Sequence, residues 1–338
     1  MVPWAGASVA VTACGSHASR NVSVIEITPL SCCGDSFGPR AGRPALRLED
    51  KDGEVVALDA AALTDGPHAG QLLLAAAVKN VSAFVVKAHL LSAEAGAVSV
   101  VWTRKLQMGN YLADTPLLRV DPRSGDVVIT AKATLMRWPA CGQAAASTHA
   151  KQLRQCKVIA RGRIWALTLL GDGGVCVACD CASKGTLAML LPVREGARAG
   201  ELPDPANAIE LRRDGEQLWP RGIGRAALGA LVVTAADGDV ELFHTRSGRY
   251  LGRVFTSPVH GRYYWRAVTA VPAACCAAAP GLVSFRTGQT GGAQLLLHPH
   301  QRDGFAPAAA EHAAGSAPDT EHADRAAPTA VTLRAGWC

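Results

Sequence analysis

The sequence predicts an all-β chain, a β-propeller of four-stranded blades, and three observations carry that expectation. A valine-rich strand, a tight Ala-Gly or Ser-Gly turn and a strand closing on an aromatic residue recur in degenerate form. Ser92-Ala93-Glu94-Ala95-Gly96-Ala97-Val98-Ser99-Val100-Val101-Trp102 and His244-Thr245-Arg246-Ser247-Gly248-Arg249-Tyr250-Leu251-Gly252-Arg253-Val254-Phe255 are two such units. Turn signals then punctuate short alternating runs along most of the chain. Finally, Thr115-Pro116 and Ser257-Pro258 open similar stretches about three repeats of roughly 47 residues apart, a normal propeller period.

Element by element, Ala7 to Cys14 and Val22 to Ile27 alternate and read as a hairpin around Gly15-Ser16-His17-Ala18-Ser19-Arg20-Asn21. Ser31 to Arg47 has Gly, Pro, Cys and Arg without periodicity and reads as an inserted loop. Strands follow at Glu54 to Asp59, Gln71 to Ala77 and Ala83 to Ala88, and Ser92 to Trp102 completes a blade-like unit. The next unit starts at Asp114-Thr115-Pro116-Leu117-Leu118. It turns at Asp121-Pro122-Arg123-Ser124-Gly125-Asp126, where Pro fixes φ and Gly admits positive φ, and continues as Val127 to Ala131.

Cys141 to Gln155 reads as a polar, alanine-bearing insertion, before strands at Ile164 to Leu170 and Val175 to Cys181 around Gly171-Asp172-Gly173-Gly174. A loop over Ala197 to Ala208 leads to a hairpin at Asp214-Gly215 that ends on Trp219. Ala230 to Ala235 and Asp239 to His244 flank an Asp237-Gly238 turn, the strongest short hairpin signal. Residues 7–300 form the expected propeller, of about five to seven units with ring closure left open. Residues 305–330, mainly Ala, Pro, His, Glu and Asp, read as a low-complexity, disordered tail, with a short strand expected at Val331-Thr332-Leu333.

Composition narrows the function classes. With 338 residues and 49% apolar content the chain can bury a substantial core. Its net charge of +6 is modest and its arginines are scattered, which speaks against a nucleic-acid partner. The apolar stretches Gln71 to Val78 and Ala226 to Ala236 are too short to span a bilayer, which needs about 20 residues, so no membrane partner is expected. The opening Met1-Val2-Pro3-Trp4-Ala5-Gly6 has neither a basic n-region nor a leucine core, so the expected location is cytoplasmic. That opening also runs straight into a strand-like segment, consistent with a piece of a longer gene product.

Eleven cysteines, odd in number and irregularly spaced, read as reduced thiols. Cys176, Cys179 and Cys181 include a zinc-like Cys-x-x-Cys spacing. On a strand, however, Cys179 and Cys181 share one face and Cys176 takes the other, so packing rather than metal or redox chemistry is expected. The vicinal pairs Cys32-Cys33 and Cys275-Cys276 read as ordinary small residues. His17 and His244 are assigned local turn bonding, and His298 with His300 surface exposure. Trp102, Trp138, Trp165 and Trp219 are expected to close blades as core residues, Trp102→Ala costing about 3–5 kcal/mol if fully buried.

Several of these runs resemble quinoprotein-like (pyrroloquinoline-quinone-type) propeller repeats. They are Gly15-Ser16-His17, Ala95-Gly96-Ala97-Val98 leading to Trp102, Thr115-Pro116 with Asp121-Pro122-Arg123-Ser124-Gly125, Asp214-Gly215-Glu216-Gln217-Leu218-Trp219, and Val254-Phe255-Thr256-Ser257-Pro258-Val259. Among these repeats they are most similar to the C-terminal propeller of β-alanine-activating enzymes (acyl-CoA synthetase family member 4), over roughly residues 7 to 290. In that family the chemistry lies outside the propeller, and this chain has neither the phosphate loop nor the carrier serine motif of the other domains. The resemblance therefore implies no catalytic, cofactor-binding or metal-binding residue here and no cofactor.

What it implies is a noncatalytic interaction or substrate-presenting module, a fragment or relative of an adenylate-forming enzyme, taking a protein, peptide or acyl-carrier partner on a propeller face. The alternative is a quinone-dependent dehydrogenase, for which the sequence lacks an acidic and amide cluster to hold Ca²⁺. A hydrolase or lyase rests on isolated histidines alone.

Overall fold

Alternation of apolar and polar residues sorts the chain into successive antiparallel meanders. The computed structural model describes residues 2–5, 7–15, 23–33, 36–39, 46–80, 83–94, 97–109, 115–142, 148–193, 201–225, 230–235, 239–255, 263–270, 282–288, 293–298 and 329–331. The first sheet holds β1 (Val2–Trp4), β2 (Ala7–Gly15) and β3 (Ser23–Cys33), its outer position shared by β4 (Ser36–Pro39) and β5 (Leu46–Asp50). The second runs β6 (Glu54–Ala62), β7 (Leu72–Lys79), β8 (Phe84–Glu94) and β9 (Ala97–Gly109). The third starts with β10 (Leu118–Val120), β11 (Val127–Ala131) and β12 (Thr134–Trp138). The chain then lays β13 (Thr148–His149) parallel to β9 before β14 (Gln155–Lys157) completes that third sheet.

The fourth sheet is β15 (Gly162–Leu169), β16 (Val175–Cys181), β17 (Gly185–Leu191) and β18 (Ile209–Glu210), followed by a small hairpin of β19 (Arg212–Arg213) and β20 (Glu216–Gln217). The fifth is β21 (Pro220–Arg225), β22 (Ala230–Ala235), β23 (Val240–His244) and β24 (Tyr250–Phe255). The sixth is β25 (Tyr263–Ala270), β26 (Leu282–Gly288), β27 (Ala293–His298) and β28 (Thr329–Val331). The first strands pack in succession, β1 on β6, β6 on β10, β10 on β15, β15 on β21 and β21 on β25. This is a propeller-like arrangement in which the leading strand of each sheet lies next to those of its neighbours.

The core lies between neighbouring sheets. Leu72, Leu74 and Ala76 of β7 face Ile25 and Ile27 of the first sheet, while Leu73, Ala75 and Ala77 face Val127, Ile129 and Trp138 of the third. Because both faces are covered, β7 reads as one unbroken apolar run. β16 divides in the same way: Val175, Val177 and Cys179 pack toward the third sheet, Cys176 and Ala178 toward the fifth.

The expected spacing of about 47 residues is met only on average, because the leading strands start at uneven intervals. The leading strands that begin at Leu118, Gly162, Pro220 and Tyr263 are three steps apart, matching the three repeats inferred between Pro116 and Pro258. Asp214 and Gly215 have φ of 49° and 87°, the paired positive values that a two-residue hairpin turn requires. Gly125, at φ 69°, closes the turn after β10, where Asp121 Oδ1 accepts from the Arg123 amide at 3.0 Å.

Three expectations change. The stretch 31–47 is not simply an inserted loop, because β3 continues through Cys33 and β4 and β5 pair along it. Alternation is hidden there by Gly and Pro, and the ladder partners come from β3. The stretch 141–155 carries β13, a 3-10 turn at Ala150–Gln152 and the start of β14, so it supplies edge strands to two sheets. The final short strand lies at Thr329–Val331, where Leu295 and Leu297 of β27 give it register partners. Most of the expected tail, residues 305–328, lies outside the described residues. No helix among the described residues is long and apolar enough to cross a membrane.

Candidate interaction face

The strand directions place two kinds of connection at opposite ends of the sheets. One end carries the turn from first to second strand, such as 63–71 and 121–126. The other carries the turn from second to third strand, such as Lys132-Ala133 and 182–184, and the links from one sheet to the next. This second end holds the side chain that departs most from sequence expectation.

Of the four tryptophans expected to close blades, Trp138 alone is fully buried, at 0% exposure. Trp102 is half-buried in the middle of β9, with the Arg104 guanidinium 4.5 Å from its ring and His68 edge-on at 6.3 Å. Arg104 itself donates to the carbonyls of Ala140 at 2.6 Å and Gly142 at 2.5 Å. Trp165 is also half-buried, against the cluster between the fourth and fifth sheets. Trp219 is 54% exposed.

The exposure of Trp219 follows from the local chain. Leu218 and Pro220 are both buried at the entry to β21, so an extended backbone turns the intervening side chain outward. The ring lies over Gly185: a Cβ there would stand 3.7 Å from its Cη2 and Cζ3 atoms. Gly185 also has φ 75°, a value that disfavours a side chain. Gln217 Nε2 donates to the carbonyls of Lys184 at 3.0 Å and Thr186 at 3.3 Å, fixing the preceding hairpin to the start of β17.

An ion network holds the hairpin's other side. Arg213 donates to Glu241 Oε1 at 3.0 Å, Arg253 reaches the same oxygen at 3.2 Å, and Tyr250 donates its hydroxyl to Oε2 at 2.6 Å. Glu241 is fully buried, so these donors replace the water it loses. Burial, then the bond to Glu241, pushes the Tyr250 hydroxyl up to about 12. The platform under Trp219 is thus tied to both the fourth and fifth sheets.

On the leading strands, Asp59 accepts from the Val120 amide at 2.7 Å and lies 3.9 Å from Arg119. Burial pushes its carboxyl up while Arg119 pulls it back. Near the same end as Trp219, Lys87 is buried with Asp50 at 2.8 Å and Asp52 at 2.6 Å. Hydrogen bonds from Lys87 and Lys105 hold Asp52 at about 2.

The cysteine reading agrees with the strand geometry, since Cys176 and Cys179 face opposite interfaces. Burial pushes Cys176 well above the usual thiol range and Cys179 to about 12, so both are packing groups. Cys181 lies opposite Gly162 and Gly185 in the ladder, and a hydrogen bond with Ser183 lowers its pKa. His244 bonds Ser247 Oγ through Nδ1 at 3.0 Å, the local turn role expected of it. His17, His300 and Cys275-Cys276 lie outside the described residues, as do the side chains of Cys32, Cys33 and His298. Sequence reasoning missed Trp219 as a surface group because a Trp after a hairpin reads as core; the buried residues on either side were the available signal.

No family model matches the chain, and no curated protein matches it. Among solved structures, one titled "Structure of U3-55K" aligns over 86% of this chain and 78% of its own, at 12% identity and a TM-score of 0.45. A likeness at that level assigns neither a partner nor an activity to this chain.

Proposed function

We propose that this chain is a noncatalytic propeller module, the six sheets of four or five strands among the described residues serving as blades, that binds a protein or peptide at the end where Trp219 is exposed. The carrying observation is that this large aromatic, 54% exposed, stands on a fixed platform. Tryptophan gains more from burial than most side chains, and rigid exposed aromatics are the usual anchors of interfaces. The charged groups near this end support a binding role over chemistry. Asp50, Asp52, Asp180, Glu210, Asp239 and Glu241 each pair with Lys or Arg, so these acids act as ion-pair partners within the fold.

The relation to the propeller of β-alanine-activating enzymes, and with it an acyl-carrier partner or a substrate-presenting role, belongs to this proposal and rests on the quoted repeats. The quinone-dependent dehydrogenase gains no supporting observation. The test is quantitative mass spectrometry of proteins recovered with tagged wild type and with Trp219→Ala from the same cells. A partner set depleted at least tenfold in the variant, at unchanged melting temperature, is expected. Equal recovery overturns the proposal.

A further inference from the structure

Five of the arginines and lysines that look scattered along the sequence, Lys132, Lys157, Arg161, Arg163 and Lys184, are brought by the fold to the end that carries Trp219. Lys132 occupies the turn between β11 and β12, and its carbonyl accepts from the Ile164 amide at 2.8 Å, bringing that turn against the start of β15 beside Arg163. Val158 donates to the Ala133 carbonyl at 2.9 Å, which places the end of β14, with Lys157, next to the same turn. The Arg161 carbonyl accepts from Ala182 at 3.3 Å, and Gly162, Cys181 and Gly185 lie side by side across three strands. Gly185, beneath the Trp219 ring, is therefore only about 10 Å from Gly162.

These basic side chains are exposed, and no ion pair reaches Lys132, Lys157 or Arg161 among the described residues. Arg163 and Lys184 are engaged only at the surface, by Asp180 at 3.3 Å and Glu210 at 3.7 Å. Lys132 also holds φ 53°, where Gly or Asn is the comfortable choice, so the turn geometry does not account for a lysine there.

We propose that this face binds an acidic peptide, with Trp219 covering an apolar or aromatic side chain and Lys132, Lys157, Arg161 and Lys184 meeting carboxylates. The inference rests on the interaction reading above and names the partner's chemistry. A peptide fits better than a nucleic acid for two reasons. A single-strand binder presents a row of aromatics to successive bases, whereas among the described residues Trp219 is the one large aromatic exposed here. Asp180, Glu210, Asp214 and Glu216 also interrupt the basic field, which opposes a continuous phosphate backbone but admits discrete side chains.

The experiment is fluorescence anisotropy with the full chain at physiological ionic strength. The probe is a labelled peptide of Glu and Asp flanking one Phe; a Lys-for-acid version and an oligouridylate serve as comparators. Saturable binding of the acidic peptide alone is expected. It should weaken at least tenfold in Trp219→Ala and in the triple variant Lys132→Glu, Lys157→Glu, Arg161→Glu, each checked for an unchanged melting temperature. No saturable binding, equal binding by the triple variant, or tighter binding of the oligouridylate overturns the inference. The two proposals fail separately. If Trp219→Ala loses its cellular partners while the acidic peptide does not bind, the interaction reading stands and the acidic partner is rejected. If the variant loses neither, both are rejected.

Discussion

Arg137→Leu should destabilise the chain by about 3–5 kcal/mol, because it removes the cation from a buried triad while leaving both anions in place. Arg137 on β12 is 5% exposed and pairs with Asp121 and Asp126, which are 12% and 9% exposed. The pair with Asp126 spans 2.7 Å, and the guanidinium also donates to Ser124 Oγ at 3.1 Å and to the Glu201 carbonyl at 3.3 Å. One side chain thus closes the turn after β10 and fastens the later loop to it. The Lys105–Asp52 pair is the contrast: at 52% and 48% exposure it should be worth no more than about 1 kcal/mol.

Urea unfolding of wild type, Arg137→Leu and Lys105→Ala, followed by tryptophan fluorescence, measures both. The pH dependence adds a second signature. Burial already raises Asp126 in the native chain, with Arg137 opposing it. Without the arginine, the folded-state pKa of Asp126 rises further, because burial then acts unopposed by that cation. Protonation below that raised pKa relieves the buried charge, so the deficit of Arg137→Leu should shrink as pH falls from 7 toward 5. A loss below about 1 kcal/mol, or one that is constant over that interval, refutes the reasoning.

Trp138→Ala should cost about 3–5 kcal/mol, the figure that Trp102 would have carried had it been fully buried, whereas Trp138→Phe should cost less than about half of that. The reason is that the buried indole Nε1 has no hydrogen-bond partner among the described residues, so removing it relieves a desolvated donor; melting curves of both variants provide the check. His89 is held down at about 4, chiefly by burial and then by Lys87. The unfolded chain takes up that proton first, so stability that is fully present above pH 6.5 should decline as pH falls toward 4, by on the order of 1–2 kcal/mol at pH 5. His89→Gln should flatten this part of the urea midpoint profile, and an unchanged profile counts against it. Among the described cysteines, Cys181 should alkylate first and Cys176 and Cys179 only on unfolding, as peptide mapping after timed iodoacetamide treatment would show.

Much of the fold is legible in local pattern. β7 announces itself as a continuous apolar run, β16 as a β-branched run with alternating faces, and Asp214-Gly215 as a turn needing two positive φ values. These properties depend on side chains within a few residues of one another, which the sequence lists in order. The stretch 31–47 was illegible because its strands are short and their partner, β3, stabilises them through backbone hydrogen bonds that carry no side-chain signature. Trp219 is hidden for a related reason: its hydrophobicity is a property of the residue, whereas its exposure follows from the burial of Leu218 and Pro220 on either side, which contacts between sheets decide.

The sequence by itself determined an all-β chain, the principal turns and the opposed faces of Cys176 and Cys179. Tertiary structure alone decided that Trp138 is enclosed and Trp219 is not. It also decided that Arg137 sits between two acids, and that Lys132, Lys157, Arg161 and Lys184 share one end of the molecule. The physical reason is range. Alternation and turn chemistry act between neighbours along the chain, whereas burial, charge pairing and surface fields depend on how separate sheets are brought together in space.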